Sequence, residues 1–185
     1  MAVTTLILPG WQNSGPQHWQ SRWERLYGYQ RVDQHDWMHP LRGDWMMQLD
    51  EAVLAMPANE RVVLAAHSLG CLLVTAWASH SQHKHRVQGA LLVAPGDAQR
   101  PELQALLPSW SPIILSKSLP FASVLYGSQN DPYCSFDRAR EFATAWGSRF
   151  IDYGASGHIN AESNLGDWPD GHASLVELQT TANLS

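Results

Sequence analysis

The sequence predicts an α/β fold in three layers, a parallel sheet covered by helices on both faces, and three observations predict it. Short apolar runs rich in β-branched residues alternate with longer amphipathic stretches, the pattern of repeated strand–helix units. The run Arg61–Ala66 is apolar at every position after its first, as in a central strand buried on both faces. The length of 185 residues suits one hydrophobic core and one domain spanning 1–185.

The elements follow in order. Thr4–Pro9 reads as the first strand, and Gln17–Tyr27 as a helix placed by apolar residues recurring at three and four positions. Gln30–Asp33 is the second strand candidate, Trp45–Met56 the next helix, and Arg61–Ala66 the third strand, running into a helix at Leu69–Ser79. A fourth strand at Val87–Ala94 leads into Gly96–Pro120, where Pro101, Pro108, Pro112 and Pro120 forbid a long helix. That segment is expected to be a crossover with a short helix near Glu102–Leu106, and a cover for a cleft. Strand Ala122–Tyr126, helix Phe136–Trp146, strand Arg149–Tyr153 and helix Ala173–Thr181 complete the series. No internal repeat or linker composition interrupts it.

The net charge is −5 and the Lys and Arg residues are scattered, which argues against nucleic acid or an anionic membrane as partner. Met1-Ala2-Val3 runs into an apolar segment without a basic leader, and no apolar stretch approaches the roughly 18 residues of a membrane span. Two cysteines, Cys71 and Cys134, make no disulfide framework, so a reducing, cytoplasmic setting is expected. The nine tryptophans suggest aromatic surface near a cleft as well as in the core.

Chemistry concentrates at RVVLAAHSLG (Arg61–Gly70), where a buried strand turns directly into a helix. This is the setting of a nucleophile elbow, a tight turn that lifts a serine hydroxyl above the sheet and needs small neighbours. Gly70 supplies one, and Ala66 stands where the common pattern has glycine. Ser68 is therefore the candidate nucleophile, with a helix N-cap as its alternative role. A serine hydroxyl needs a base and a group that orients the base, and in this architecture they follow as acid, then histidine, at the ends of later strands. Asp131, in GSQNDP after the fifth strand, and His158, in the Gly-rich loop GASGH after the sixth, meet that order. Asp97 after the fourth strand is the rival acid, its alternative being a turn or cap residue.

Among the other histidines, His80, His83 and His85 crowd a helix end without accompanying ligands for a metal, and His67 is expected to point away from the hydroxyl. His18, His35, His39 and His172 read as ordinary, with His18 a possible lining residue of the cleft. The loop Pro9–Pro16 after the first strand is expected to donate an oxyanion N–H from Trp11, with Gln12 as fallback, beside the N–H of Leu69 at the helix start. Its glycines also frame a phosphate loop, but no Lys-[Ser/Thr] follows Gly15. Trp11, Trp37, Trp45, Trp110 and Trp168 fall on segments expected to surround the cleft, which suggests a small apolar or aromatic acyl group; core packing is their alternative role.

LPGWQNSGPQHWQSRWE near the N-terminus, AAHSLGC, GSQNDPYC and SGHINAESNLGDWPDG together resemble the retinoblastoma-binding-protein-9 and YdeN-type serine hydrolases over essentially the whole chain. The resemblance implies a compact α/β-hydrolase fold with a six-stranded parallel sheet in the order 2-1-3-4-5-6. It also implies a triad on Ser68, Asp131 and His158 and hydrolysis of small esters or amides; esters are expected ahead of amides or peptides, and such a mechanism is expected to need no metal or organic cofactor. Two other functions use the same fold: a non-catalytic binding or scaffolding protein, and an acyltransferase that passes the acyl group to an acceptor other than water.

Overall fold

A computed structural model describes residues 2–181. The apolar runs form six strands, β1 (Val3–Leu8), β2 (Gln30–Arg31), β3 (Arg61–His67), β4 (Val87–Val93), β5 (Ala122–Gly127) and β6 (Arg149–Asp152). They lie in one sheet in the order β2-β1-β3-β4-β5-β6, and every adjacent pair is parallel. The helices are α1 (Trp19–Tyr27), α2 (Arg42–Ala55), α3 (Leu69–His80), α4 (Pro101–Gln104), α5 (Phe136–Trp146) and α6 (Pro169–Thr180).

Successive strand residues point to opposite faces, so each face collects alternate positions. Leu6, Leu8, Leu64, Ala66 and Leu92 pack with residues of α2, α3 and α5, whereas Ile7, Val63, Ala65, Leu91 and Val93 pack with α1 and α6. Both faces being covered is the reason the interior of β3, Val62–Ala66, is apolar throughout. The large side chains that fill the two layers are tryptophans: seven of the nine are essentially fully buried. Burial of a large apolar side chain stabilises by about 1.5–3 kcal/mol, so most of this tryptophan content belongs to the core.

Two helices begin earlier than their sequence pattern indicates. The first turn of α2 has no side-chain cap of its own at Leu41, and the Arg42 N–H is satisfied instead by Ser109 Oγ at 3.1 Å, from the crossover. In α6, Pro169 takes the first helical position, where its missing N–H costs nothing, and Gly171 lies inside the first turn. A Cβ at Gly171 would come within 2.3 Å of the Trp168 indole, so this glycine makes room for a core tryptophan and does not break the helix. The second strand is shorter than expected: only Gln30 and Arg31 pair with β1.

The segment from Gly96 to Pro120 is pinned by long-range bonds. Trp110 Nε1 donates to the Pro40 carbonyl at 3.0 Å and Trp146 Nε1 to the Ile114 carbonyl at 2.8 Å. Among the described residues, no helix is long and apolar enough to cross a membrane. Cys71 and Cys134 are free and buried, and burial raises both thiols, Cys134 to about 12.

Candidate active site

The C-terminal ends of the parallel strands converge on one cavity of about 350 Å³, the place where open α/β sheets bind their ligands. At its floor, Ser68 joins β3 to α3 with φ 54° and ψ −118°, a left-handed backbone that β-carbon-bearing residues rarely adopt. The turn is held by the Ser68 N–H, which donates to Val93 O at 2.9 Å. It is possible because two neighbours lack side chains. A Cβ at Gly70 would sit 2.3 Å from the Leu8 carbonyl oxygen, and one at Gly10 would sit 2.8 Å from Ser68 Cβ. Ala66, at the position where the common elbow pattern has glycine, is fully buried and fits. Ser68 makes no side-chain cap to its helix, unlike the N-cap alternative.

His158 Nε2 lies 2.9 Å from Ser68 Oγ, and its Nδ1 lies 2.9 Å from both carboxylate oxygens of Asp131. The carboxylate only accepts, so Nδ1 carries the ring proton of the neutral imidazole and Nε2 presents its lone pair to the hydroxyl. The side chains of His158 and Asp131 are 9% and 3% exposed, which keeps water from competing for these bonds. Asp131 Oδ1 also accepts from the Tyr133 N–H at 2.9 Å, and the Tyr133 ring packs edge-on to His158 with centroids 4.6 Å apart. Asp97 is directed elsewhere: it accepts from the Gln99 N–H at 3.2 Å and faces Arg138 at 3.5 Å.

The two residues expected to donate oxyanion N–H groups, Leu69 and Trp11, line the cavity together with Ser68. The N–H of Leu69 is the first of α3, with no intrahelical carbonyl in reach and the positive end of the helix dipole behind it. That of Trp11 has no hydrogen-bond partner among the described residues, whereas the Gln12 N–H is taken by the Trp37 carbonyl at 3.0 Å. Of the five tryptophans expected around the cleft, Trp11 alone lines the cavity. Trp45, Trp110 and Trp168 are buried in the core, and Trp37 packs on Trp45. The crossover does cover the cavity, through Ala98, Leu103 and Leu107.

His18 lines the cavity, as expected of it, whereas its neighbours Trp19 and Gln20 are the part of the site that motif reasoning passes over. Gln20, fully buried, donates to the carbonyls of Leu8 (3.0 Å) and Ala65 (3.1 Å) and accepts from Ser14 Oγ at 2.6 Å, tying the loop after β1 to the end of β3. His18 caps α1 by accepting from the Gln20 N–H, and it lines the cavity. Its imidazole stacks edge-on to that of His67 (4.6 Å), which lies 4.7 Å from the ring of His158. Burial, reinforced by the neighbouring His158 and Arg31, lowers His18 to about 3, and burial with His18 and His158 nearby holds His67 well below the ordinary range. Both rings are therefore neutral. The available signal was polarity out of place: a histidine and a glutamine on the buried side of an amphipathic helix.

The serine hydrolase family model matches residues 5–177. A putative YdeN-like hydrolase from Pectobacterium atrosepticum is 32% identical, with a TM-score of 0.83 over 96% of this chain and 91% of that one. The ydeN gene product of B. subtilis is 21% identical (TM-score 0.73, 96% and 98% covered). Est1E from Butyrivibrio proteoclasticus, solved with ferulic acid bound, shares the fold at 9% identity (TM-score 0.71, 99% and 88% covered). No curated protein matches. With a family model spanning nearly all of the sheet and its connections, and the hydroxyl–imidazole–carboxylate line set at the strand ends, the chain belongs to the serine hydrolase family and is an α/β hydrolase of the YdeN type.

Proposed function

We propose that the protein hydrolyses small carboxylic esters through an acyl-enzyme on Ser68. The single observation that carries this reading is the continuous line from Ser68 Oγ through His158 to Asp131, each link 2.9 Å, at the floor of an open cavity. Ser68 Oγ attacks the carbonyl carbon while its proton passes to His158 Nε2, and Asp131 stabilises the resulting imidazolium. The N–H groups of Leu69 and Trp11 hold the oxyanion of the tetrahedral intermediate. His158 then gives its proton to the departing alcohol. Water, deprotonated by the same imidazole, attacks the acyl-enzyme, and His158 returns that proton to Ser68 Oγ as the acid leaves. The chemistry uses only these residues and water.

The substrate reading is a short apolar acyl group. Leu69, Ala98, Leu103 and Leu107 provide apolar lining in a space of about 350 Å³, the lower end of the range for small-molecule sites. With one tryptophan at the cavity, the lining favours the apolar over the aromatic member of the two acyl groups that the sequence suggested.

A fluorophosphonate probe tests the nucleophile. The parent protein is expected to label stoichiometrically and to turn over p-nitrophenyl acetate or butyrate, and Ser68→Ala to do neither. Labelling that survives Ser68→Ala rejects the assignment, and a labelled parent that turns over no ester or amide points to a binding role. Product analysis with a competing alcohol separates hydrolysis from acyl transfer.

A further inference from the structure

The base is carried on a strained turn. Ile159, immediately after His158, has φ 45°, a backbone that a β-branched residue adopts only when its surroundings impose it. Ile159 is fully buried, and the two carbonyls at this turn each receive a side-chain donor from a different element. His67 Nε2 lies 2.8 Å from His158 O, and Trp19 Nε1 donates to Ile159 O at 2.9 Å. A carbonyl only accepts, so the His67 proton resides on Nε2. The residue beside the nucleophile in sequence thus holds the backbone of the base in space, and the first residue of α1 holds the next carbonyl.

We propose that His67 and Trp19 form a backbone clamp that keeps the strained turn at Ile159 and thereby aims the His158 imidazole at Ser68. The inference rests on the catalytic roles proposed above for Ser68 and His158. Neither clamp residue touches the reacting atoms in this arrangement; both are positioning residues.

The geometry gives the clamp its logic. His158 Nε2 must stay within hydrogen-bond reach of Ser68 Oγ through two proton transfers, and its backbone lies in a loop, not a strand or helix. Regular ladder bonds end at Asp152, followed by Tyr153 N–H to Gly127 O at 2.9 Å and Gln129 N–H to Gly154 O at 2.7 Å. Beyond that, side-chain acceptors at residues 156 and 157 and side-chain donors at 158 and 159 supply most of what a ladder supplies elsewhere. His67 is 5% exposed and Trp19 1% exposed, so the two bonds are shielded from water. His18 packs edge-on to His67, and Trp168 packs on Trp19 with centroids 5.1 Å apart, so both donors are themselves fixed by packing.

The test is steady-state kinetics on Trp19→Phe, which keeps a large ring and loses the donor, and on His67→Leu and His67→Gln, which lose and keep a donor respectively. Rates are counted per serine titrated with the fluorophosphonate, so that a smaller folded fraction does not register as a slower enzyme. Expected are kcat losses of about tenfold or more in Trp19→Phe and His67→Leu, KM within about twofold, and recovery of most of the rate in His67→Gln. The double variant Trp19→Phe/His67→Leu is expected to lose less than the product of the single losses, because either release lets the same turn relax. Parent-like kcat in both donor-loss variants overturns the clamp, as does a His67→Gln variant no better than an impaired His67→Leu. Activity retained in Ser68→Ala would instead overturn the underlying catalytic reading, so the two failures are distinct.

Discussion

Two stretches of unusual backbone meet in the cavity, and they are held by different forces. At the elbow, Ser68 keeps its positive φ through connectivity and close packing: a central strand on one side, a helix on the other, and glycines at 10 and 70 where any side chain would strike backbone or Ser68 itself. The base loop has no such enclosure. Its residues 156–159 are gripped one by one, by Ser128 Oγ to the Ser156 N–H (3.0 Å), Asn130 Oδ1 to the Gly157 N–H (2.7 Å), His67 to His158 O and Trp19 to Ile159 O. The nucleophile is thus placed by volume and the base by hydrogen bonds. Changes of size should damage the first, and changes of donor or acceptor should damage the second.

The largest effect expected concerns the acceptor that holds the imidazole. Asp131→Asn keeps the volume and places an amide where the carboxylate accepted from Nδ1, which reverses the favourable tautomer and is expected to lower kcat by about 10⁴-fold. Asp97→Asn, altering a carboxylate directed toward Arg138, is expected to stay within about twofold. Comparing kcat for the pair is the check, and equal effects would end the distinction between the two acids.

Volume is the next lever. Gly70→Ala puts a Cβ 2.3 Å from the Leu8 carbonyl oxygen, a clash with backbone that no rotamer relieves. The expected loss is at or above the upper end of the ~1–3 kcal/mol typical of overpacking, read as a fall in the denaturant midpoint. Gly15→Ala is the control, since a Cβ there meets nothing within 4 Å. A Gly70→Ala protein as stable as Gly15→Ala would show that the elbow is not sterically enforced.

This contrast also explains what the sequence made legible. The elbow is contiguous, so strand, turn and helix stand side by side in Arg61–Ser79, and the alternation of strands with helices gives the sheet. Asp131 and His158 could be picked out because strand ends and chain order restrict the candidates. The grip on the base was not legible. His67 and His158 are 91 positions apart and Trp19 and Ile159 are 140 apart, and no local pattern marks a side chain as the donor to a distant carbonyl. The early start of α2, satisfied by Ser109 from 67 residues away, escaped for the same reason. The tryptophans misled because loop position in the sequence does not say whether an indole faces a cavity or the layer beneath it.

The two neutral imidazoles between elbow and base loop make the seam sensitive to acid. His18 and His67 have folded pKa values below their unfolded value near 6.5, so the unfolded chain binds protons that the folded protein excludes. Stability is therefore present above about pH 6.5 and declines as pH falls toward 3, where His18 titrates. Between pH 7 and pH 5 exclusion of the His18 proton accounts for about 2 kcal/mol, and His67 adds in the same direction. Denaturant midpoints across that range are expected to fall, and to fall less steeply in His67→Gln. An unchanged slope in that variant would mean that His67 accepts its proton without cost.

Among the contacts that grip the base loop, the smallest effect is expected at its other end. Ser128→Ala removes the acceptor of the Ser156 N–H and the donor to Asn130 Oδ1, a loss of about 1 kcal/mol in stability. Its effect on kcat should be only about two- to threefold, because losing these two bonds, distant from the reacting atoms, leaves the geometry at the imidazole nearly intact. Gly157 separates the Ser156 contact from His158 and, at φ 60°, adopts its backbone without the steric resistance that Ile159 meets. Displacement at Ser156 is absorbed there, whereas displacement at Ile159 passes straight to the ring. Kinetics of Ser128→Ala beside Trp19→Phe measure that gradient along four residues. A Ser128→Ala enzyme slower than Trp19→Phe would place the decisive grip on the β5 side of the loop instead of the side facing α1.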